Sequence, residues 1–341
     1  MMFRILTLNK ISAIIHQNLT AENYMIAAEE PAPHGILVRS ADMHDMELPE
    51  DLLAIARAGA GVNNIPVEDC TQKGIAVFNT PGANANAVAE LVIAGLILGS
   101  RNVVGGAAWA AALEGDVAAL VEKGKNQFVG PEVRGKTLGV IGLGAIGAIV
   151  ANTAARGLGM RVIGYDPYIS VENAWSLSSA IQHAASLEDI YRESDYITVH
   201  VPLNDATRGM WNADAFAQMK DGVRLLNYAR AALADAKDLA AALESGKVAS
   251  YVTDFPTEAV LGMKNALCIP HLGASTPESE ENCAVMASAE LRDYLEFGQI
   301  RNSVNLPEVL PGKLTGPRVQ LIHENEPGLI SAISVIPVPP I

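Results

Sequence analysis

The chain has 341 residues, half of them apolar and 18% charged, with 24 Lys and Arg against 38 Asp and Glu for a formal charge of −14. At about 150 residues per domain, this length suggests two domains with ample core. The acid surplus argues against a nucleic-acid or anionic-membrane binder, which needs a basic face, and leaves a small anionic ligand possible only where a few cations are focused. The three cysteines, Cys70, Cys268 and Cys283, show no metal-ligand spacing and read as reduced thiols of a soluble cytoplasmic protein. The longest apolar run, 91–99, is far short of the roughly 20 residues that span a bilayer. Met1 to Leu6 reads as a strand rather than a leader.

In chain order, short β-type runs alternate with Ala-rich helical stretches, the pattern of an α/β fold with parallel sheets covered by helices. The first hundred residues offer strands at Phe3–Leu8, Gly35–Val38, 53–56 and Ala76–Phe78. Pro81-Gly82 opens an apolar helix running to about Val104, interrupted by Glu90 and Arg101, for core or subunit-interface packing. Residues 105–126 read as helical too. Six further strands, Thr137–Ile141, Arg161–Tyr165, 196–200, Val223–Asn227, Val248–Thr253 and 266–269, are spaced as βαβ units. Beyond Leu306, the prolines at 307, 311 and 317 mark a linker.

Gly142-Leu143-Gly144-Ala145-Ile146-Gly147 matches GxGxxG between an apolar strand and a helix, and the next strand ends at Asp166. That context makes the hexapeptide a dinucleotide-binding fingerprint. Gly142 permits the tight turn, Gly144 lets backbone approach a pyrophosphate, and Gly147 lets helix pack on strand, with the helix N-terminus facing the phosphates. Asp166 accepts from a ribose 2′-OH and repels a 2′-phosphate, which favours NAD over NADP.

Ligands of open α/β sheets sit beyond the carboxyl ends of the strands. The residues just past each remaining strand are therefore informative: His200-Val201-Pro202, Tyr228-Ala229-Arg230, Asp254 through Glu258, and Pro270-His271. An Arg, a carboxylate and a His thus converge on the cofactor rim. Each has a plainer alternative: His200 a satisfied core residue, Arg230 a helix-capping cation, Glu258 a solvated carboxylate unless it pairs with His271.

Asn227-Tyr228-Ala229-Arg230, Asp254-Phe255-Pro256-Thr257-Glu258 and Pro270-His271-Leu272-Gly273-Ala274-Ser275-Thr276 resemble the three signatures of the D-2-hydroxyacid dehydrogenase family. The likeness covers about residues 1 to 307. The runs Arg57 to Ile65, Asn79-Thr80-Pro81-Gly82 and Val38-Arg39-Ser40 resemble the branch whose substrate carries a phosphate. The resemblance implies a flavodoxin-like substrate domain, 1–100 plus 273–306, and a doubly wound Rossmann NAD domain, 101–272, in a homodimer or homotetramer. It implies NAD contacts from the glycine loop, Asp166, His200, Val201, Pro202, Tyr228, Ala229, Asp254, Gly273 and Ala274. It also implies catalysis by Arg230, Glu258 and His271, and binding of a small anionic 2-hydroxy or 2-oxo acid by Arg39, Ser40, Arg57, Gly59, Ala60 and Gly61. An unperturbed imidazole can both take and give a proton near neutral pH, which suits His271 to proton transfer, with Glu258 expected to hold the ring and Arg230 to offer a fork to a carboxylate. A relative acting on lactate, glyoxylate or hydroxypyruvate, and an NAD-sensing scaffold, remain alternatives.

Two positions depart from the family pattern. Ala231 stands where glycine is usual, and carries roughly 1 kcal/mol of strain if the position needs positive φ. Asp254 is displaced by one residue from the usual Asp-Val-Phe register. Finally, Val319 to Leu329 resembles the first strand and helix start of an ACT domain. The 24 residues from Arg318 to Ile341 are too few for a whole module, and the terminal prolines cannot continue a helix, so 307–341 is expected to be a linker and a truncated, poorly ordered fragment.

Overall fold

Five short runs of β-formers make the first sheet, and two of them, Gly35-Ile36-Leu37-Val38 and Ala76-Val77-Phe78, are buried at every residue. In the computed structural model, which describes residues 2–312, 316, 318–323, 327–329 and 331, the chain divides into two units. Unit 1 is Met1–Pro81 with Glu281–Ile341, and unit 2 is Gly82–Glu280.

In unit 1, β1 (Phe3–Leu8), β2 (Tyr24–Ala27), β3 (Gly35–Val38), β4 (Ala54–Arg57) and β5 (Ala76–Phe78) form a parallel sheet in the order β2-β1-β3-β4-β5. This is the flavodoxin-like order, and it reverses between β1 and β3. Asn9 and the Arg39-Ser40 loop therefore leave adjacent strand ends. Leu6, Ile36, Val38, Ile55 and Val77 build a core with Met43, Leu48 and Leu52 from the loops and Cys70 from α1 (Val67–Gln72).

Unit 2 begins with α2 (Ala85–Ser100), α3 (Val103–Ala111) and α4 (Val117–Gly124). Then come β6 (Thr137–Ile141), α5 (Ala145–Arg156), β7 (Arg161–Tyr165), α6 (Val171–Ser176), β8 (Gln182–His183), α7 (Leu187–Glu193) and β9 (Tyr196–Val199). The second half adds α8 (Ala213–Gln218), β10 (Val223–Asn227), α9 (Ala236–Glu244), β11 (Val248–Thr253) and β12 (Ala266–Cys268). The seven strands are parallel in the order β12-β11-β10-β9-β6-β7-β8, doubly wound about a switch point between β6 and β9. Every residue of β6 and β9 is buried, as strands covered on both faces require. Gly139 lets α7 close on β6, since a Cβ there would lie 2.7 Å from Ile190 Cγ2.

The long helix α10 (Pro277–Phe297) starts in unit 2, and its later turns belong to unit 1, where Leu291 packs on Gly35. The contact boundary thus falls at 81/82 and 280/281 rather than at 100 and 273. Packing explains the first shift: α2 lies against α5, β10 and β11, with Gly95 fitted to Tyr228 and Gly99 to Val252.

Local differences from the sequence expectation have clear causes. β2 and β8 escape notice because they are short, partly or wholly exposed edge strands without alternation. β4 begins one residue later than expected because Leu53 points to solvent. The expected helix through Val104 breaks at Arg101, whose backbone is extended, and Asn102 caps the new helix by accepting from Gly105 N at 3.0 Å. Residues 105–126 are split again at Gly115, with φ +86°, before α4. Past β12 the tail returns, and Ile300 and Val309 exchange two backbone hydrogen bonds. Val319 to His323 join no sheet among the described residues, and Val319, Leu321 and Ile322 are exposed. The expected ACT-like strand is absent there because a strand needs a ladder partner. The expected start of the ACT-like helix falls mostly, and the Pro-rich end wholly, outside the described residues.

Candidate active site

The glycine loop leaves β6 at the switch point of unit 2. Gly142 has φ +88°, and a side chain on it would meet His200 O at 2.6 Å. A Cβ on Gly147 would fall 1.9 Å from Gly142 O, so only glycine lets α5 start this close to the loop. Gly144, by contrast, faces open space, with nothing within 4 Å of a Cβ. It sits at the N-cap of α5 with no side chain closing that helix end, which leaves Ala145 and Ile146 at a positive dipole terminus.

Asp166, at the end of β7, is fixed beside this loop: Oδ2 accepts from Leu143 N and Oδ1 from Tyr168 N, both at 2.9 Å. His200 follows β9, and its N donates to Ile141 O at 2.7 Å. Burial lowers its pKa to about 4, so the ring is neutral, with Nε2 paired to Thr198 Oγ1 at 3.0 Å and Nδ1 buried without a partner. Val201 packs against Gly142, and Pro202 is exposed. An open glycine cradle, a helix terminus, a fixed carboxylate and an orphaned imidazole nitrogen fit a dinucleotide.

One strand along, β10 ends in a polar bracket. Asn227 is fully buried, and its Nδ2 donates to Arg230 O at 2.9 Å and to Tyr251 Oη at 3.1 Å. Its Oδ1 accepts from Ala229 N at 3.2 Å and Arg230 N at 3.3 Å. The bracket turns the chain so that Arg230 emerges exposed, with Nη1 donating to Ala229 O at 2.7 Å. Ala231 then starts a 3-10 turn outside the left-handed region, so the strain anticipated for it is absent. Tyr228 points the other way, its hydroxyl buried without a partner and its pKa pushed up by burial and then by Asp254.

β11 supplies the next group. Thr253 Oγ1 donates to Asn227 O at 2.8 Å and accepts from Phe255 N at 3.1 Å, tying the two strand ends together. Asp254 is only 1% exposed with Oδ1 unpartnered, and burial raises its pKa while His271 first, and Arg230 less, oppose the rise. The half-buried Phe255 ring stands between two site groups: the His271 ring lies 4.5 Å away at 46°, and the Arg230 guanidinium carbon 5.8 Å from its centre. His271 and Glu258 are both exposed, and no hydrogen bond or ion pair joins them. His271 instead acts electrostatically on Asp254, opposing the rise of that carboxyl's pKa. Gly273 is buried beside Asp254, with 3.5 Å from a would-be Cβ to Oδ2, and Ala274 follows half-buried.

Unit 1 holds the second set of expected residues. Arg57, at the end of β4, donates from Nε to Arg39 O at 3.1 Å, and its guanidinium lies where a Gly59 side chain would stand, 2.2 Å from Nη1 to that Cβ. Burial, and to a lesser degree the Arg39 charge, lowers the Arg57 pKa. Ser40 N is taken by Asn9 Oδ1 at 3.0 Å. Ala60 O accepts from Asn79 Nδ2 at 2.5 Å, and Gly61 faces open space. Asn9, Asn227 and Phe255 are the groups that sequence reasoning passed over. For the two Asn the available signal was their place at the end of a strand or just past it, which favours side-chain-to-backbone turns.

Comparison with known proteins agrees with this geometry. Residues 95–273 match the D-isomer specific 2-hydroxyacid dehydrogenase, NAD binding domain. The chain belongs to that family, and unit 2 is its NAD-binding domain. Among its relatives are the D-3-phosphoglycerate dehydrogenase of Homo sapiens, 37% identical over 307 residues, and that of Archaeoglobus fulgidus, 35% identical over 296. The alignments take in 86% and 83% of this chain and 54% and 53% of the relatives, so the chain spans about half the length of the curated relatives it matches. Among solved structures, NAD+-bound 3-phosphoglycerate dehydrogenase of Entamoeba histolytica is 25% identical with a TM-score of 0.69, covering 90% of this chain and 99% of that one. A glyoxylate reductase from Paecilomyes thermophila is 27% identical with a TM-score of 0.70, covering 89% and 98%.

Proposed function

We propose that the chain is an NAD-dependent dehydrogenase that oxidises 3-phosphoglycerate to 3-phosphohydroxypyruvate, the entry step of serine biosynthesis. The observation that carries this reading is the Arg230-Phe255-His271 cluster at the carboxyl ends of the NAD-binding sheet, taken with the phosphoglycerate dehydrogenases among the relatives. Bound NAD supplies the hydride acceptor. His271 takes the C2 hydroxyl proton as C2 is oxidised, and returns it in the reverse direction. Asp254, buried at the end of the neighbouring strand, interacts electrostatically with that ring. Glu258, four residues on in the same loop, is the second carboxylate assigned to the ring. Arg230 holds the substrate carboxylate with its planar fork and polarises the C2 oxygen. Phe255 stands between guanidinium and imidazole. Arg39 and Arg57 are assigned to the substrate phosphate, with Ser40, Gly59, Ala60 and Gly61 around them.

The protein is further assigned to the cytoplasm as a homodimer or homotetramer. Its three cysteines are free, and among the described residues no single helix is long and apolar enough to cross a membrane. No residue of α3 or α4 is buried, and Val103, Val104, Val117 and Leu120 are exposed, as suits helices that pack against another copy. The likeness to a glyoxylate reductase favours a second reading in which a small 2-oxo acid is the substrate. NADH consumption with 3-phosphohydroxypyruvate, glyoxylate and pyruvate separates the two. At least a hundredfold higher kcat/KM on the phosphorylated acid is expected, and equal or better turnover of glyoxylate overturns the assignment.

A further inference from the structure

Among the described groups of unit 1, Asn9 has an unusual combination of features. It leaves β1 at the point where the sheet order reverses, and its φ of +69° puts a non-glycine residue in the left-handed region. Asn tolerates that backbone where most side chains do not, and its short carboxamide is then aimed sideways rather than along the strand. It is used: Oδ1 accepts from both Ser40 N at 3.0 Å and Ala41 N at 2.5 Å. The same loop is held from two other sides. Arg57 Nε donates to Arg39 O at 3.1 Å, and Asn64 Nδ2 donates to Ala41 O at 2.7 Å.

The consequence is electrostatic. The clamp brings the backbone of Arg39 against the Arg57 side chain, so that two cations share one corner of a protein with net charge −14. Like charges repel, and side-chain bonds from Asn9, Arg57 and Asn64 to the loop backbone help to fix the arrangement. Such pre-organised cations suit an anion of charge two better than a single carboxylate. Reach matters less than rigidity here: a loop already ordered loses less freedom on binding.

We propose that Asn9 is a specificity-determining positioning residue, whose clamp on Ser40 and Ala41 holds Arg39 beside Arg57 as a seat for a phosphate group. The assignment rests on the proposed phosphoglycerate substrate and adds the device by which phosphorylated acids are preferred.

The test uses the full chain and the variant Asn9→Gly, which keeps the left-handed backbone and removes only the acceptor. Two acids that differ by the phosphate, 3-phosphohydroxypyruvate and hydroxypyruvate, are compared with NADH, and the dissociation constant of inorganic phosphate is measured by calorimetry. The expected result is a KM for the phosphorylated acid raised at least tenfold, with kcat and the hydroxypyruvate KM within twofold, and phosphate binding weakened at least fivefold. In the double variant Asn9→Gly/Arg39→Met, the KM is expected to be no higher than in Arg39→Met alone, because both changes act on one group. An unchanged KM, equal losses on both acids, or additive effects in the double variant overturn the proposal. Failure of the substrate reading looks different: the wild-type chain then shows no preference for the phosphorylated acid, while Asn9→Gly still weakens inorganic phosphate binding if the clamp holds the two cations together.

Discussion

Replacing Asn227 with Ala tests how the NAD-binding unit presents its guanidinium. The side chain is inaccessible and makes four hydrogen bonds, two as acceptor from Ala229 N and Arg230 N and two as donor to Arg230 O and Tyr251 Oη. Each is worth roughly 1 kcal/mol net, and the buried Tyr251 hydroxyl loses a partner, so a loss of about 3–5 kcal/mol is expected. The turn then loosens. A guanidinium misplaced by about 1 Å is expected to lower kcat/KM by roughly a hundredfold. Urea unfolding of both proteins measures the first quantity, and NADH oxidation with 3-phosphohydroxypyruvate, at temperatures where both are folded, measures the second. Stability reduced by less than about 1 kcal/mol, together with kcat/KM within threefold of wild type, would refute the idea that this carboxamide shapes the Arg230 turn.

Three further outcomes rest on named contacts. Gly147→Ala puts a methyl group 1.9 Å from Gly142 O, so the glycine loop must move, and NADH affinity measured by fluorescence titration is expected to fall at least about tenfold, or 1.4 kcal/mol; an unchanged Kd would show the loop is not the pyrophosphate cradle. Glu290, 7% exposed on α10 with Oε2 unpartnered, has its pKa raised by burial to about 8. Its unfolded-state value is near 4.3, so the folded chain holds a proton that the unfolded chain releases, and stability falls as pH rises between those values. Glu290→Gln keeps an acceptor for Asn302 and removes the titration, so the thermal midpoint of the variant is expected to match wild type near pH 4 and exceed it by several degrees at pH 9; parallel curves would contradict this. Asp254→Asn, which removes the buried carboxyl that interacts electrostatically with His271, is expected to lower kcat at pH 7 by about tenfold, and an unchanged kcat would remove Asp254 from a role at that ring.

Much of the frame was legible because it rests on composition and periodicity. The fully buried strands β3, β6 and β9 are apolar runs, and the glycine loop carries its own context. Edge strands were not legible, since β2 and β8 bury too little to leave a pattern. Nor was the break at Arg101-Asn102, where a capping side chain overrides an apolar stretch that otherwise reads as one helix. In the site, the residue types at the strand ends were readable, but their partners were not. Glu258 was expected to pair with His271, whereas the carboxylate that couples electrostatically to that ring is Asp254. Which of two nearby carboxylates turns inward depends on where β11 stops and on the Thr253 bridge to Asn227, a tertiary contact with no local signature. Asn9 was hidden for a similar reason, because its φ and its partners in a loop thirty residues away are set by sheet order.

On the proposed function, Arg230 is the substrate clamp of an NAD-linked oxidoreductase. The direct measurement is turnover of 3-phosphohydroxypyruvate by Arg230→Lys, with NADH affinity determined on the same preparation. Lys keeps the charge and loses the planar fork, so kcat/KM is expected to fall by at least about a hundredfold, or 2.7 kcal/mol, with the NADH Kd within twofold. Full turnover in that variant, or a loss traced wholly to NADH binding, would contradict it.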